Sequence, residues 1–368
     1  MSKRKLKRIT IKIGTKVLTD SGNRIDREVL GDITAQVTSL MDKNTEVILV
    51  SSGAIGAGLG LLGMSRKGRS LSELQAIASI GQNHLMDIYN EYLGEKGYVA
   101  GQILLTQEDF NDRKRFLNIR YTLNALLKYR AVPVINENDS VSTEEIKCGD
   151  NDRLSSLVAD ISDSDMLIVL TDVRGLYDSD GNVIPEVGEI TGAVKTLCRG
   201  KGCEESTGGM ITKLEAVRTA ANAGIPCVIA YGKKKGVILD IVRGKRVGTA
   251  FLAQERPLQA RKRWIAFSKK PKGSITVDEG AEKALVSGKK SLLPGGVTGF
   301  KGRFSDGDVV DVAGPSGRVI ARGLSNYTSD EVGKIKGKRS DRIEAELGYK
   351  DYDEVIHRDN LVIFEDPD

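Results

Sequence analysis

Short β-branched runs alternate along this chain with longer stretches of helical periodicity, and that alternation restricts the fold more than any other feature. Arg8–Ile13, Glu46–Val50, Val132–Ile135, Leu167–Leu170 and Cys227–Ala230 read as strands. Between them, Leu74, Ile77, Ala78, Gly81, Leu85, Ile88, Tyr89 and Tyr92 recur at the spacing of one helix face, and Gly94 and Gly97 end that segment. Thr212–Ala223 reads as a second helix, closed by Gly224 and Pro226. Strands and helices in this order predict an α/β fold, a mainly parallel sheet sandwiched by helices. Ligands of such sheets sit at the carboxyl ends of strands. Gly, Ser, Asn or Asp follows several of those ends directly.

The texture changes near residue 260. Arg261–Trp264 and Lys269–Gly273 read as a basic linker. Beyond it lie short strands rich in glycine, Ser274–Val277, Val309–Val312 and Val319–Ala321, with Gly314–Gly317 as a turn between the last two. A chain of 368 residues holds two domains comfortably. The expected division is 1–260 for the first and 274–360 for a small β-rich second.

Composition removes several classes of function. The longest apolar runs, such as Val47–Val50 and Met166–Leu170, are too short to span a bilayer. The N-terminus runs from basic residues straight into the first strand with no apolar h-region, so a cytoplasmic protein is expected. Cys148, Cys198, Cys203 and Cys227 are too sparse for a disulfide scaffold and lack zinc-ligand spacing. His84 and His357, the only histidines, stand beside no nucleophile. A net charge of +5, with basic clusters at Lys233–Lys235, Arg261–Arg263 and Lys336–Arg339, suits solvated surface or anionic partners.

Two motif spellings mislead. Gly58-Leu59-Gly60-Leu61-Leu62-Gly63 matches the dinucleotide fingerprint, but it begins too far past the strand and lacks the later acidic residue. No P-loop and no protein-kinase motif occurs.

Five polar clusters remain. Lys12 leaves the first strand just before Gly14-Thr15, where a half-buried ammonium is costly unless it meets an anion. Ser51-Ser52-Gly53 follows the second strand, and small residues there let backbone N–H groups approach a carboxylate or phosphate. Asn136-Glu137-Asn138-Asp139 and then Glu145–Asp152 crowd carboxylates and amides into one loop region, a set able to hold an amino group or position lysines. Thr171-Asp172 ends the strand Leu167–Leu170. Thr207-Gly208-Gly209 reads as a glycine loop that feeds a helix, with Lys213 in its first turn, an anion site by construction. Lysines, glycine turns and carboxylates without a nucleophile suit phosphoryl transfer, which depends on positioning and charge neutralisation.

These motifs, with Leu104–Gln107, Ile275–Ala281, Ser291–Gly295 and Val355–Asp359, run in order through nearly the whole chain, and together they resemble the glutamate 5-kinases of the amino acid kinase family, which carry a C-terminal PUA domain. The resemblance implies transfer of phosphate from ATP to the side-chain carboxylate of L-glutamate, the first step of proline synthesis. It makes Lys12, Lys213 and Asp152 catalytic, with Asp152 holding the two lysines. It assigns Ser52, Asp139 and Asn151 to glutamate. ATP falls to Lys12, Thr171, Asp172, Thr207, Gly208, Gly209, Met210, Ile211, Thr212 and Lys213, with Mg²⁺ held by its phosphates rather than by a protein metal site. It further implies feedback inhibition by proline and a homo-oligomer. Lys16 and Ser206 depart from the pattern, where a small residue and a glycine are usual. The alternatives are an RNA-binding protein acting through the PUA-like domain, set against only 5% aromatic residues, and a kinase of the same family with another acceptor.

Overall fold

Short, mainly apolar strands build the centre of the first of two units, Met1–Pro257 and Leu258–Asp368. The computed structural model describes residues 6–364 apart from 21, 23, 111, 142–149, 193, 195–206, 255–261, 263–264, 267–270 and 289. In the first unit, strands β1 (Arg8–Ile13), β2 (Glu46–Ser51), β3 (Ala100–Leu105), β4 (Val132–Glu137), β5 (Met166–Thr171), β6 (Glu186–Val187), β7 (Cys227–Tyr231) and β8 (Thr249–Phe251) form one sheet. Their order is β3-β4-β2-β1-β5-β7-β8-β6, and every neighbouring pair is parallel except β7 with β8. The helices are α1 (Thr15–Leu18), α2 (Arg27–Met41), α3 (Ala54–Leu62), α4 (Leu71–Gly94), α5 (Arg113–Lys128), α6 (Asp150–Ile161), α7 (Thr207–Asn222) and α8 (Val237–Val242).

Every residue of β4 and β5 is buried, as expected of parallel strands covered on both faces. The alternation of side chains divides β5 between two cores. Met166, Ile168 and Leu170 pack in one cluster with Leu30 of α2 and Leu85 of α4. Leu167 and Val169 pack in another with Leu214 and Val217 of α7. The sheet is therefore sandwiched, as the alternation of elements predicts.

The misleading glycine spelling has a packing explanation. Gly58 and Gly60 lie inside α3, and Gly63 caps it at φ 64°. A Cβ at Gly58 would stand 2.1 Å from the carbonyl oxygen of Ile77, and one at Gly81 would stand 1.8 Å from that of Ala54. These glycines let α3 and α4 touch backbone to backbone. The long helix α4 starts at a capping box in which Ser70 and Glu73 satisfy each other's backbone N–H.

Two sequence expectations need correction. Thr207-Gly208-Gly209 is not a loop before a helix, because α7 already begins at Thr207 and Lys213 lies in its second turn. Glycine's low helix propensity is overridden by the apolar face of α7 that follows it. Likewise Asn136 and Glu137 belong to β4, and Asp150–Asp152 open α6. The cluster is thus a strand end and a helix start, not a single loop. Glu145–Gly149 lie outside the described residues, as do Ser206, Cys148, Cys198 and Cys203.

In the second unit, β9 (Gly273–Val277), β10 (Val297–Gly302), β11 (Val309–Ala313), β12 (Val319–Leu324) and β13 (Leu361–Ile363) form a sheet in the order β10-β9-β11-β12-β13. Helices α9 (Glu279–Val286), α10 (Ser329–Ile335) and α11 (Ile343–Leu347) accompany it, and its own core includes Ile275, Val312, Tyr327 and Ile335. Most of the expected linker lies outside the described residues, and its last residue, Gly273, opens β9. Among the described residues, no helix is long and apolar enough to cross a membrane.

Candidate active site

In β1, Ile9, Ile11 and Ile13 point into one apolar cluster, so alternation sends Thr10 and Lys12 to the opposite face. The Lys12 residue is 5% exposed, and its ammonium meets Asp152 Oδ1 at 2.5 Å. Asp152 sits in the first turn of α6, with its side chain 1% exposed. Its other oxygen, Oδ2, faces Lys213 Nζ at 3.3 Å and accepts from Thr212 Oγ1 at 3.0 Å. Lys213 Nζ also donates to the carbonyl of Gly209 at 3.0 Å, tying the lysine to the glycine turn of α7. Three elements therefore converge on one buried carboxylate. Burial alone would push that carboxyl up. The charges of Lys12 and Lys213, with hydrogen bonds from Lys12 and Thr212, overcome burial and hold it below the usual carboxylate range.

A second network adjoins this triad, because Asn151 precedes Asp152 and β2 lies beside β1. Asn151 Nδ2 donates to Ser52 Oγ at 3.1 Å and to Asn136 Oδ1 at 2.9 Å. The backbone N–H of Glu137 donates to Asn136 Oδ1 at 2.9 Å and to Asn151 Oδ1 at 3.2 Å. Asn136 Nδ2 donates in turn to Gln82 Oε1 of α4 at 2.8 Å. Ser52 stands at the end of β2 next to Gly53, which takes φ 104° to start α3. Glycine reaches that left-handed conformation without the steric cost of a Cβ. Asp139 lies in the turn after β4, half-buried.

The ends of β1 and β5 meet through backbone, where Gly14 N donates to the carbonyl of Leu170 at 3.0 Å. Just beyond, Thr171 is buried and its Oγ1 donates to Asp172 Oδ1 at 3.0 Å. Lys16 points toward this corner, with its ammonium 3.0 Å from Asp172 Oδ2. Its side chain is 71% exposed. Burial would raise the Asp172 carboxyl, but hydrogen bonds from Lys16 and Thr171 lower it below its ordinary value. Met210 is buried in the core beside α7, and Ile211 packs against that core from a half-buried position. For Thr207 and Gly208 only the helical backbone is described.

Two groups of the expected site residues are in contact: Lys12, Asp152, Thr212 and Lys213 in one, Ser52 and Asn151 in the other. Thr171 and Asp172 lie at the neighbouring strand end, and Met210 and Ile211 serve the core. The pairing of Lys16 with Asp172 and that of Asn136 with Gln82 were not visible in the motifs, and Gln82 itself was not named by them. Gln82 had a signal, since a polar residue on the buried face of α4 breaks its apolar pattern.

The amino acid kinase family profile matches residues 7–231, and that of the PUA domain matches residues 273–347. A glutamate 5-kinase of Caldanaerobacter subterraneus subsp. tengcongensis is 49% identical over 364 residues, covering 97% of this chain and 98% of that one. Glutamate 5-kinases of Thermoanaerobacter sp. and Pelobacter propionicus are each 46% identical, covering 97% and 98% of this chain and 98% of their own lengths. The chain belongs to the glutamate 5-kinase group of the amino acid kinase family. As a member of the amino acid kinases it is a phosphotransferase with ATP as its phosphoryl donor. The histidines have local explanations in this amino acid kinase: His84 is half-buried on α4, and His357 accepts from the N–H of Asp359. Cys227 is wholly buried in β7, and burial pushes its thiol up.

Proposed function

We propose that this chain transfers the γ-phosphoryl group of ATP to the side-chain carboxylate of L-glutamate, giving L-glutamyl 5-phosphate and ADP, the first step of proline synthesis. The observation that carries this function is the meeting of Lys12 and Lys213 on buried Asp152, next to the Ser52–Asn151–Asn136 network. The glutamate 5-kinases to which the chain is similar along nearly its whole length support the choice of acceptor.

In this reaction a carboxylate oxygen attacks the γ-phosphorus, a new O–P bond forms, and the bond to the β-phosphate oxygen breaks as ADP leaves. The nucleophile is already ionised, so no general base is needed. Asp152 suits that requirement, because it is held ionised between two lysines and has no proton duty to perform. Lys12 and Lys213 supply positive charge where the transferred group spreads its negative charge. Asp152 sets their separation. Ser52, Asn151 and Asp139 hold the amino acid, and Thr171, Asp172 and the first turns of α7 hold the nucleotide.

Among the described residues no group of three or more His, Cys, Asp or Glu is placed to hold a metal ion. Both Asp152 oxygens face lysines. We assign Mg²⁺ to the phosphates of ATP, whose charge it would neutralise. Feedback inhibition by proline, a homo-oligomer and a cytoplasmic location belong to the same proposal and rest on the family resemblance.

The test is ATP consumption by the purified protein with Mg²⁺, comparing L-glutamate with aspartate, N-acetylglutamate and UMP, with hydroxylamine present to trap an acyl phosphate. Turnover with L-glutamate and a hydroxamate product is expected. Turnover with another acceptor only would overturn the substrate. Silence with all of them, together with salt-sensitive binding of labelled RNA, would favour an RNA-binding role for the second unit.

A further inference from the structure

Gln82 occupies a costly place. It is 7% exposed on the face of α4 that also buries Ala78, Leu85 and Tyr89. An amide there must be hydrogen-bonded or it destabilises the protein. Its Oε1 accepts from Asn136 Nδ2 at 2.8 Å, while its Nε2 is buried with no hydrogen-bond partner among the described residues. The neighbours impose this half-satisfied state. Asn136 Oδ1 already accepts from Asn151 Nδ2 and from Glu137 N, both at 2.9 Å. Asn136 must therefore present its NH₂ to α4, and Gln82 must answer with oxygen. Turning the Asn136 amide over would set its NH₂ against that of Asn151 and lose both contacts.

We propose that Gln82 is a positioning residue of the acceptor subsite: by accepting from Asn136 it fixes the amide orientation that holds Asn151 and Ser52 for the incoming amino acid. The role rests on the assignment of L-glutamate as acceptor. Gln82 reaches the subsite through Asn136, so it acts on binding of the amino acid and not on the phosphoryl group. From Gln82 the hydrogen bonds run through Asn136 to Asn151, Ser52 and the backbone N–H of Glu137, on the acceptor side.

The experiment uses the full-length protein with ATP, Mg²⁺ and L-glutamate, and reads kcat and both KM values with the hydroxamate assay. Gln82→Met keeps the side-chain volume and removes the acceptor. Its KM for L-glutamate should rise about tenfold, the effect of one unpaired amide donor on binding. Its kcat and its KM for ATP should stay within roughly twofold. Gln82→Glu keeps an oxygen facing Asn136 and should bring the KM for L-glutamate back to within about threefold of the wild type. Gln82→Asn withdraws the oxygen by one methylene and should behave as Gln82→Met does, so it decides the matter if the methionine variant fails to fold. An unchanged KM in a folded Gln82→Met or Gln82→Asn protein would overturn the role, because packing alone would then explain the residue. So would a Gln82→Glu protein as impaired as the methionine variant. If the wild type ignores L-glutamate and uses another acid, the acceptor assignment has failed, and the same KM comparison made with that acid still decides the role of Gln82.

Discussion

Replacing Asp152 with asparagine removes the carboxylate charge that both Lys12 and Lys213 meet and little else. The side chain is 1% exposed, so water cannot take the place of the lost carboxylate. Breaking a buried ion pair from one side costs about 3–5 kcal/mol, because the remaining charge stays buried without compensation. Asparagine can still accept from Thr212, which places the expected loss near the lower figure, about 3 kcal/mol. For a unit of this size each kcal/mol shifts Tm by roughly 2–4 °C, so the variant should melt roughly 6–12 °C below the wild type at pH 7. The pH dependence gives an independent readout. The folded state holds the carboxyl below its ordinary value of 3.8, so the folded chain binds fewer protons than the unfolded chain between the two values. The stability that Asp152 contributes is therefore complete above the ordinary value and is lost as pH falls through the lowered one. Scanning calorimetry from neutral pH to pH 3 should show the gap between wild type and Asp152→Asn narrowing at the acid end. Adding Lys213→Met to Asp152→Asn should cost less than the sum of the single changes, since it removes one stranded ammonium. An Asp152→Asn protein that melts with the wild type at pH 7, or a gap that widens in acid, would refute the account of this triad.

Three further outcomes are expected. Lys213→Ala should fold and lose about 10²–10³ in kcat, the effect of deleting one preorganised charge donor, and near-normal kcat would remove the lysine from the mechanism. Asp139→Ala should raise KM for L-glutamate about tenfold or more with KM for ATP little changed, whereas an effect confined to ATP would show that this turn serves the nucleotide. Gly81→Ala should lower stability by about 3 kcal/mol or more in thermal melting, because a methyl group 1.8 Å from the Ala54 carbonyl forces α3 and α4 apart. A Tm matching the wild type would mean that the two helices separate freely.

Much of the first unit was legible in the chain because parallel strands buried on both faces carry near-continuous apolar runs, and Met166–Leu170 and Val132–Ile135 are such runs. The polar residues following those runs marked the carboxyl ends of the strands, where ligands of open α/β sheets bind as a rule. The short strands β6, at one edge of the sheet, and β8 beside it were not legible. They have two and three residues, and their places depend on pairing partners far away in sequence. Helix α7 was misjudged at its start because propensity penalises two adjacent glycines, while the packing of Leu214 and Val217 against β5 outweighs that penalty.

The amino-acid sequence by itself determined the alternating elements, the two-sided sheet and the residue types at each strand end, because those follow from local periodicity and chain connectivity. Only the tertiary structure decided which of those residues meet. Lys12, Asp152 and Lys213 lie 140 and 61 positions apart by their numbers, and the β1–β5 pairing with the packing of α6 and α7 brings their charges onto one carboxylate. The same holds for Gln82, whose polarity was visible in the helix pattern but whose partner across 54 residues was not. Hydrogen bonds and ion pairs act over about 3 Å, and sequence separation carries no information at that range until the sheet has set the register.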